Sequence, residues 1–289
     1  MSISTSSGKR TGFKLQAYAE PQALQEMPRR RADSQRWKDL QHLISFLPPF
    51  LLALLFIMGW YFITASGRIN SLILPTPAEV LASFSDGVQS GLFWSNLQVT
   101  LQESLLGFLL AVAIALPIGY GVAKSRLLAR TLLPYLAAGQ AIPAIVIAPF
   151  LFLWFGNGLL PVVIVCMLVV LFPLVMNTIL GVQTIDPALT DAARLEGAAG
   201  WSLLSKIEFP LALPAILAAV RTGMTLSITG ALVGEFFCSP DRGLGALVQI
   251  ALHQYDMSLM FATVLVLAVL AALYYSATWL LVKAAESTY

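Results

Sequence analysis

The chain has 289 residues, 58% of them hydrophobic and only 11% charged, with a net charge of +2 and a mean hydropathy of +0.79. Soluble domains carry about 25% charged residues, so a chain this long and this poor in charge is expected to face lipid over much of its surface. The small net charge gives no ground for a nucleic-acid partner. Cys166 and Cys238 sit in or beside apolar stretches without metal-ligand spacing, which argues against a disulfide framework or a thiolate metal site.

Residues 1–42 are polar and basic, include Arg29-Arg30-Arg31, and show no apolar helical stripe. They are expected to form a disordered cytoplasmic tail whose arginines can meet anionic lipid headgroups. No cleavable signal pattern is evident, because the first apolar run, 43–67, is about twice the length of a signal-peptide core. That run is expected to stay as the first transmembrane helix, followed by a periplasmic segment, 68–95, and a core of five more spans, 96–285. A crossing needs about 20 apolar residues, and stretches free of Asp, Glu, Lys and Arg mark where they lie. One is 104–123. The stretch 131–185 is too long for one helix and divides at the turn signal Gly156-Asn157-Gly158. A fifth span runs from about Pro210 to Phe236, interrupted by Arg221, and the sixth is 257–282.

Basic residues set the direction of the six spans. With the N-terminal tail in the cytoplasm, 14 Lys and Arg fall on inside segments, among them Lys124, Arg126, Arg130, Arg194, Lys206 and Lys283, while only Arg68 and Arg242 fall outside. Both termini are therefore expected in the cytoplasm. Trp94, Trp154 and Trp279 lie at expected interfaces, where amphipathic rings prefer to sit. Prolines recur inside the spans, at Pro117, Pro134, Pro143, Pro149, Pro173, Pro210 and Pro214. Each removes a backbone donor and bends its helix, and kinked helices around a pathway suit a transporter better than an inert anchor.

The most informative segment lies between the fourth and fifth spans, 186–208. Asp186 is a good N-cap, Pro187 a good first helical residue, and Gly197 can end a short helix in a left-handed turn. A second short helix from Trp201 is expected to lead to Pro210. Ala192, Ala193, Ala198 and Ala199 would let another surface approach closely.

The order Asp191-Ala192-Ala193, three residues, Gly197, nine residues, Ile207, one residue, Phe209-Pro210 resembles the EAA signature of ABC importer permeases, E-A-A-x3-G-x9-I-x-L-P. Asp stands for Glu and Phe for Leu, both conservative departures. Over roughly 70–285 the chain is also similar to the nitrate, sulfonate, taurine and bicarbonate branch. The similarity lies in Leu74-Pro75-Thr76-Pro77, Leu153-Trp154-Phe155-Gly156, Val233-Gly234-Glu235-Phe236 and Arg242-Gly243-Leu244-Gly245. The same set resembles permeases for thiamine-pyrimidine precursors and riboflavin. The resemblance implies an all-α membrane protein of the type I importer architecture in the bacterial inner membrane. It further implies that Asp191, Ala192, Ala193, Gly197, Ile207 and Pro210 couple to a pair of ATP-binding subunits. A solute-binding protein would deliver the solute from outside, and a second copy of the permease would complete the pathway.

The chain lacks the G-x4-G-K-[ST] pattern that cradles phosphates; its one Gly-Lys pair, Gly8-Lys9, has neither the upstream glycine nor the following hydroxyl. It is expected to bind no ATP by that route, to hold no cofactor of its own, and to act as a subunit rather than an enzyme. Candidate pathway residues are the polar groups within spans: Gln140, Asn177, Arg221, Ser227, Thr229 and Glu235. Each has a second reading. Arg221 could snorkel or hold backbone carbonyls beside a kink; Glu235 could be a solvated helix end; the others could hydrogen-bond a neighbouring helix. His42 and His253 are too far apart in sequence to suggest a metal. An ion-coupled secondary transporter is the alternative function, but no carboxylate is expected mid-span and no repeat is evident. An intramembrane enzyme has no nucleophile–base pair or histidine cluster behind it.

Overall fold

The structure, a computed structural model, describes residues 48, 50–239 and 241–286. The expected tail, 1–42, and the start of the first expected span lie outside these residues. The chain divides into two compact units at Gly59/Trp60. Helix α1, Phe50–Ala65, is apolar but shorter in its described residues than a full crossing requires.

Helix α2, Pro77–Gln89, explains the Leu-Pro-Thr-Pro run in chemical terms. Thr76 is its N-cap and Pro77 its first residue. The Thr76 hydroxyl accepts from the Glu79 amide at 3.2 Å, and the Glu79 carboxylate accepts from the Thr76 amide at 2.8 Å. This reciprocal capping box satisfies two helix-end donors. Trp60 secures the preceding turn by donating its indole N–H to Pro75 O at 3.0 Å.

Helix α3, Leu92–Lys124, is followed by α4, Arg126–Ala141, and α5, Ala144–Phe155, which meet at a 94° bend, and then by α6, Leu159–Gln183. Short α7, Pro187–Leu195, leads to α8, Gly200–Leu203, which runs through a π turn at Leu204–Glu208 into α9, Phe209–Cys238. Helices α10, Leu244–His253, and α11, Met257–Glu286, complete the chain. Among the described residues, four helical stretches are long and apolar enough to cross a membrane, five if the bent α4–α5 pair counts as one.

Two expected boundaries shift, for one reason. The span expected at 104–123 begins at Leu92 and takes Glu103 inside; the short helix expected to lead to Pro210 is continuous with the fifth span over 39 residues, Gly200–Cys238. Both Glu103 and Glu208 are 1% exposed. A carboxyl housed in the interior does not end a span, so a search for charge-free runs trims the helix too early. A further difference lies in the expected third span, which is not one straight helix: it breaks at Ile142-Pro143 because Pro143 lacks an amide to continue the ladder.

Helix α6 lies against both α3 and α9 and forms the centre of the core. Val170, Leu174, Val175 and Ile179 of α6 pack with Ala111 and Ala115 of α3 and Ala219 of α9. The three backbones approach closely at Cys166, where side chains on the neighbours would not fit. A Cβ on Gly107 would stand 2.8 Å from Cys166 Sγ, and one on Gly230 would stand 2.7 Å from Cys166 Cα. Small residues at helix crossings are how membrane helices gain contact without a hydrophobic driving force. Cys166 and Cys238 are both free thiols and buried. A second cluster, built from Val80, Phe93, Leu244, Leu247, Ala262 and Leu270, joins α2, α3, α10 and α11. Leu109, Leu273 and Leu280 remain exposed, as apolar side chains facing lipid should be.

Candidate functional site

Three groupings of residues stand out. The first is the segment between α6 and α9. Asp186 Oδ1 accepts the Ala188 amide at 2.9 Å and caps α7, and Pro187 begins it. The helix ends in a Schellman turn: the Ala198 amide donates to Ala193 O at 2.9 Å and the Gly197 amide to Arg194 O at 3.0 Å, with Gly197 at φ +90°. Asp191, Ala192 and Gly197 are exposed. Ile207 and Pro210 are half-buried where the segment joins α9. Asp191 pairs with Arg194 at 3.1 Å, but both side chains are more than half exposed, so the pair adds little stability and leaves the carboxylate accessible. Leu195 and Trp201, 91% and 78% exposed, add apolar area to the same surface.

This segment is anchored from behind by Glu208, a residue that sequence reasoning missed. Glu208 receives the Lys124 ammonium at 2.6 Å on one oxygen and the Tyr120 hydroxyl at 2.7 Å on the other. The end of α3 and the π turn ahead of α9 are therefore tied by a charge-assisted pair. In the sequence Glu208 fills an unspecified place between Ile207 and Phe209, and nothing about it signals a partner 84 residues away.

The second grouping is a cavity of about 690 Å³ at the α4–α5 break. Gln140 stands on its α4 side, Pro143 at the break, Phe172 and Asn177 on α6, and Thr229 on α9. Three of the six candidate pathway residues, Gln140, Asn177 and Thr229, thus come together although they are spread over three helices. The other three lie elsewhere. Arg221 turns toward α11, its guanidinium 3.9 Å from the centre of the Tyr275 ring. Ser227 is fully buried and donates to Met224 O.

Glu235 belongs to the third grouping and corrects an expectation: it is fully buried rather than a solvated helix end. Its carboxylate receives the Thr100 hydroxyl at 2.6 Å and the Gly245 amide, and Glu103 lies against it. The Gly243 amide donates to Asn96 Oδ1 at 2.9 Å and the Leu244 amide to Thr100 Oγ1 at 2.8 Å. Polar side chains from α3 and α9 thus cap the start of α10, where amides have no intrahelical partner. This gives the Arg-Gly-Leu-Gly run its physical reason: a Cβ on Gly245 would stand 2.7 Å from Glu235 Oε2. Asn96, Thr100, Glu103 and Ser104 recur at helical spacing along one face of α3, a polar stripe in an apolar helix that could have revealed the cluster from sequence. No group of three or more metal-ligating side chains occurs among the described residues.

The profile of the family described as binding-protein-dependent transport system inner membrane component matches residues 107–286, which hold both the α6–α9 segment and the cavity. The chain belongs to this family. It is an ABC transporter permease of the inner membrane, in a family whose ATPase is a separate subunit and whose members work with an ATP-binding subunit and a solute-binding protein. Among related permeases, the riboflavin transport system permease protein RibX of Chloroflexus aurantiacus is 42% identical over 77% of this chain and 82% of its own length. A putative aliphatic sulfonates transport permease protein of Bacillus subtilis, SsuC, is 28% identical over 87% of this chain and 91% of its own. The formylaminopyrimidine transport permease protein ThiX of Halalkalibacterium halodurans is 28% identical over 80% and 91%. The inward-facing MetNI methionine ABC transporter contains a chain of the same fold, with a TM-score of 0.57 and 22% identity over 66% of this permease and 93% of that chain. None of these findings supports the ion-coupled alternative.

Proposed function

We propose that this permease crosses the membrane six times, with α1, α3, the bent α4–α5 pair, α6, α9 and α11 as the spans and both termini in the cytoplasm. Residues 186–208 form the coupling element that an ATP-binding subunit receives, with Asp191, Ala192, Ala193 and Gly197 at the contact and Ile207 and Pro210 at the hinge to α9. Two copies pair to enclose the pathway, two ATP-binding subunits sit beneath them, and a solute-binding protein delivers the solute from the other side. The chain itself performs no ATP chemistry and holds no cofactor.

The observation that carries this reading is the rigid connection of the loop to the spans. Helix α7, capped and exposing Asp191 and Leu195, turns at Gly197 into α8, which exposes Trp201 and runs without a break into α9, and Glu208 locks that join to Lys124 at the end of α3. Force applied to such an element moves two spans rather than flexing a loop, which is the two-state device that coupling requires.

The test is co-purification with the ATP-binding subunit of this importer. The intact permease is expected to retain that subunit and stimulate its hydrolysis. The double variant Asp191→Lys, Gly197→Pro is expected to reach the membrane and lose the subunit, since proline fixes φ near −65° where +90° is needed. Retention and full stimulation by the variant would show that residues 186–208 are not the coupling element.

A further inference from the structure

The cavity at the α4–α5 break carries a statement about the solute that the family match does not make. Gln140, Asn177 and Thr229 bring amide and hydroxyl groups to it, and Phe172 brings an aromatic ring to its wall. Gly139 makes room for that ring, whose Cζ lies 2.5 Å from where a Cβ on Gly139 would stand. Asn177 donates Nδ2 to Pro173 O at 2.9 Å, and because that carbonyl can only accept, Oδ1 is the end left to face a ligand. Thr178, Thr222, Thr225, Thr263 and Thr278 all bond back to a carbonyl four residues earlier, whereas the Thr229 hydroxyl has no such partner among the described residues. The Gln140 side chain has none there either.

Among the described residues, no Lys, Arg, His, Asp or Glu borders the cavity. The break brings the carbonyl end of α4 and the amide end of α5 to the same place, so helix-end partial charges of about −0.5 and +0.5 offset one another there. An anion stripped of water is best held by a paired cation or a cluster of donors, whereas the described lining supplies no cation and Asn177 turns an acceptor toward the cavity. Its volume falls within the ~300–1,000 Å³ of small-molecule sites.

We propose that this cavity is a binding station on the translocation pathway for an uncharged, planar solute rich in hydrogen-bonding groups, of the flavin or aminopyrimidine type, and not for a sulfonate or nitrate anion. In it the solute ring stacks on Phe172 while Gln140, Asn177 and Thr229 replace water around its edge. The proposal rests on the permease reading above and adds the solute's chemistry and its resting place.

The test uses the permease–ATP-binding subunit complex in lipid nanodiscs, with single cysteines at Gln140→Cys, Asn177→Cys and Thr229→Cys and a small methanethiosulfonate reagent. Native Cys166 and Cys238 are fully buried and contribute little background. All three positions are expected to label, and riboflavin or a 4-aminopyrimidine is expected to slow labelling severalfold while ethanesulfonate does not. Leu273→Cys on α11 is expected to be indifferent to all three solutes. On the complex without added cysteines, riboflavin fluorescence is expected to change on binding and to be unaffected by ethanesulfonate, which covers any variant that fails to assemble. Protection by ethanesulfonate, protection by no solute, or no labelling at the three positions would each overturn the proposal. Retention of the ATP-binding subunit, scored on the same preparations, reports separately on the coupling reading.

Discussion

Glu208 accepts two hydrogen bonds while only 1% exposed, and its partner Lys124 keeps 34% of its side-chain surface open. Removing one member of such a pair strands a buried charge, which costs about 3–5 kcal/mol in general; the partial exposure of Lys124 places this case near the low end. Lys124→Met is expected to lower the melting temperature of the purified complex, and the double change Lys124→Met, Glu208→Gln to recover most of the loss; additive losses in that cycle would show that the two side chains are not coupled. The carboxyls at the start of α10 give a second comparison. Gln at position 103 can donate to Glu235, so Glu103→Gln is expected to be well tolerated. Glu235→Gln replaces one of the two accepting oxygens by an amide nitrogen, so the Gly245 amide and the Thr100 hydroxyl can no longer both donate to it, and it is expected to melt several degrees lower than Glu103→Gln. These residues mark where sequence reading stops. The capping residues Asp186 and Gly197 were legible because their partners are within a few residues. Glu208 and Glu235 were not, because what houses them comes from α3, more than 80 residues away.

Helices were legible where apolar content alone decides them, as in α6 and α11, and their ends were not where a buried carboxyl mimics a boundary. The turn at Gly156-Asn157-Gly158 separates α5 from α6 as its composition predicts, yet the break within 126–155 hides behind a proline among several. Pro117, Pro134 and Pro173 all sit inside unbroken helices, so a proline by itself does not announce a 94° bend. At Ile142 the backbone is extended, as the residue before a proline prefers, and Pro143 serves as the N-cap of α5. Replacing Pro143 by Ala restores the missing amide and removes that restriction, which favours continuation of α4 into α5 and closure of the cavity. Pro143→Ala is therefore expected to accumulate normally in the membrane and retain its ATP-binding subunit while transport falls. Uptake equal to that of the unaltered permease would mean that the break is held by packing alone.

At the scale of the molecule, the face shared by α6 and α9 is where the proposed second copy would pack. A shallow groove of about 270 Å³ meets the cavity at Asn177 and runs on past Thr184, Ala215, Ala218 and Thr222. Amides and hydroxyls are poor neighbours for lipid, and small residues at this spacing let a second helix approach closely. Helix α11 packs on α9, whereas the groove lies between α9 and α6, so its exposed leucines belong to a different surface. If two copies meet across the groove, a two-fold axis brings each residue near the axis toward its own counterpart. Thr222→Cys is then expected to form a disulfide-linked species of twice the 31.2 kDa chain mass when oxidised in native membranes, and Leu273→Cys is not. Cross-linking should weaken or shift when the ATP-binding subunits are trapped closed, because on the proposed coupling role of residues 186–208 closure rearranges the spans joined to that segment. A Thr222→Cys permease that stays monomeric on oxidation in every nucleotide state, while still transporting, would place the contact between copies elsewhere and leave this polar face to a different partner.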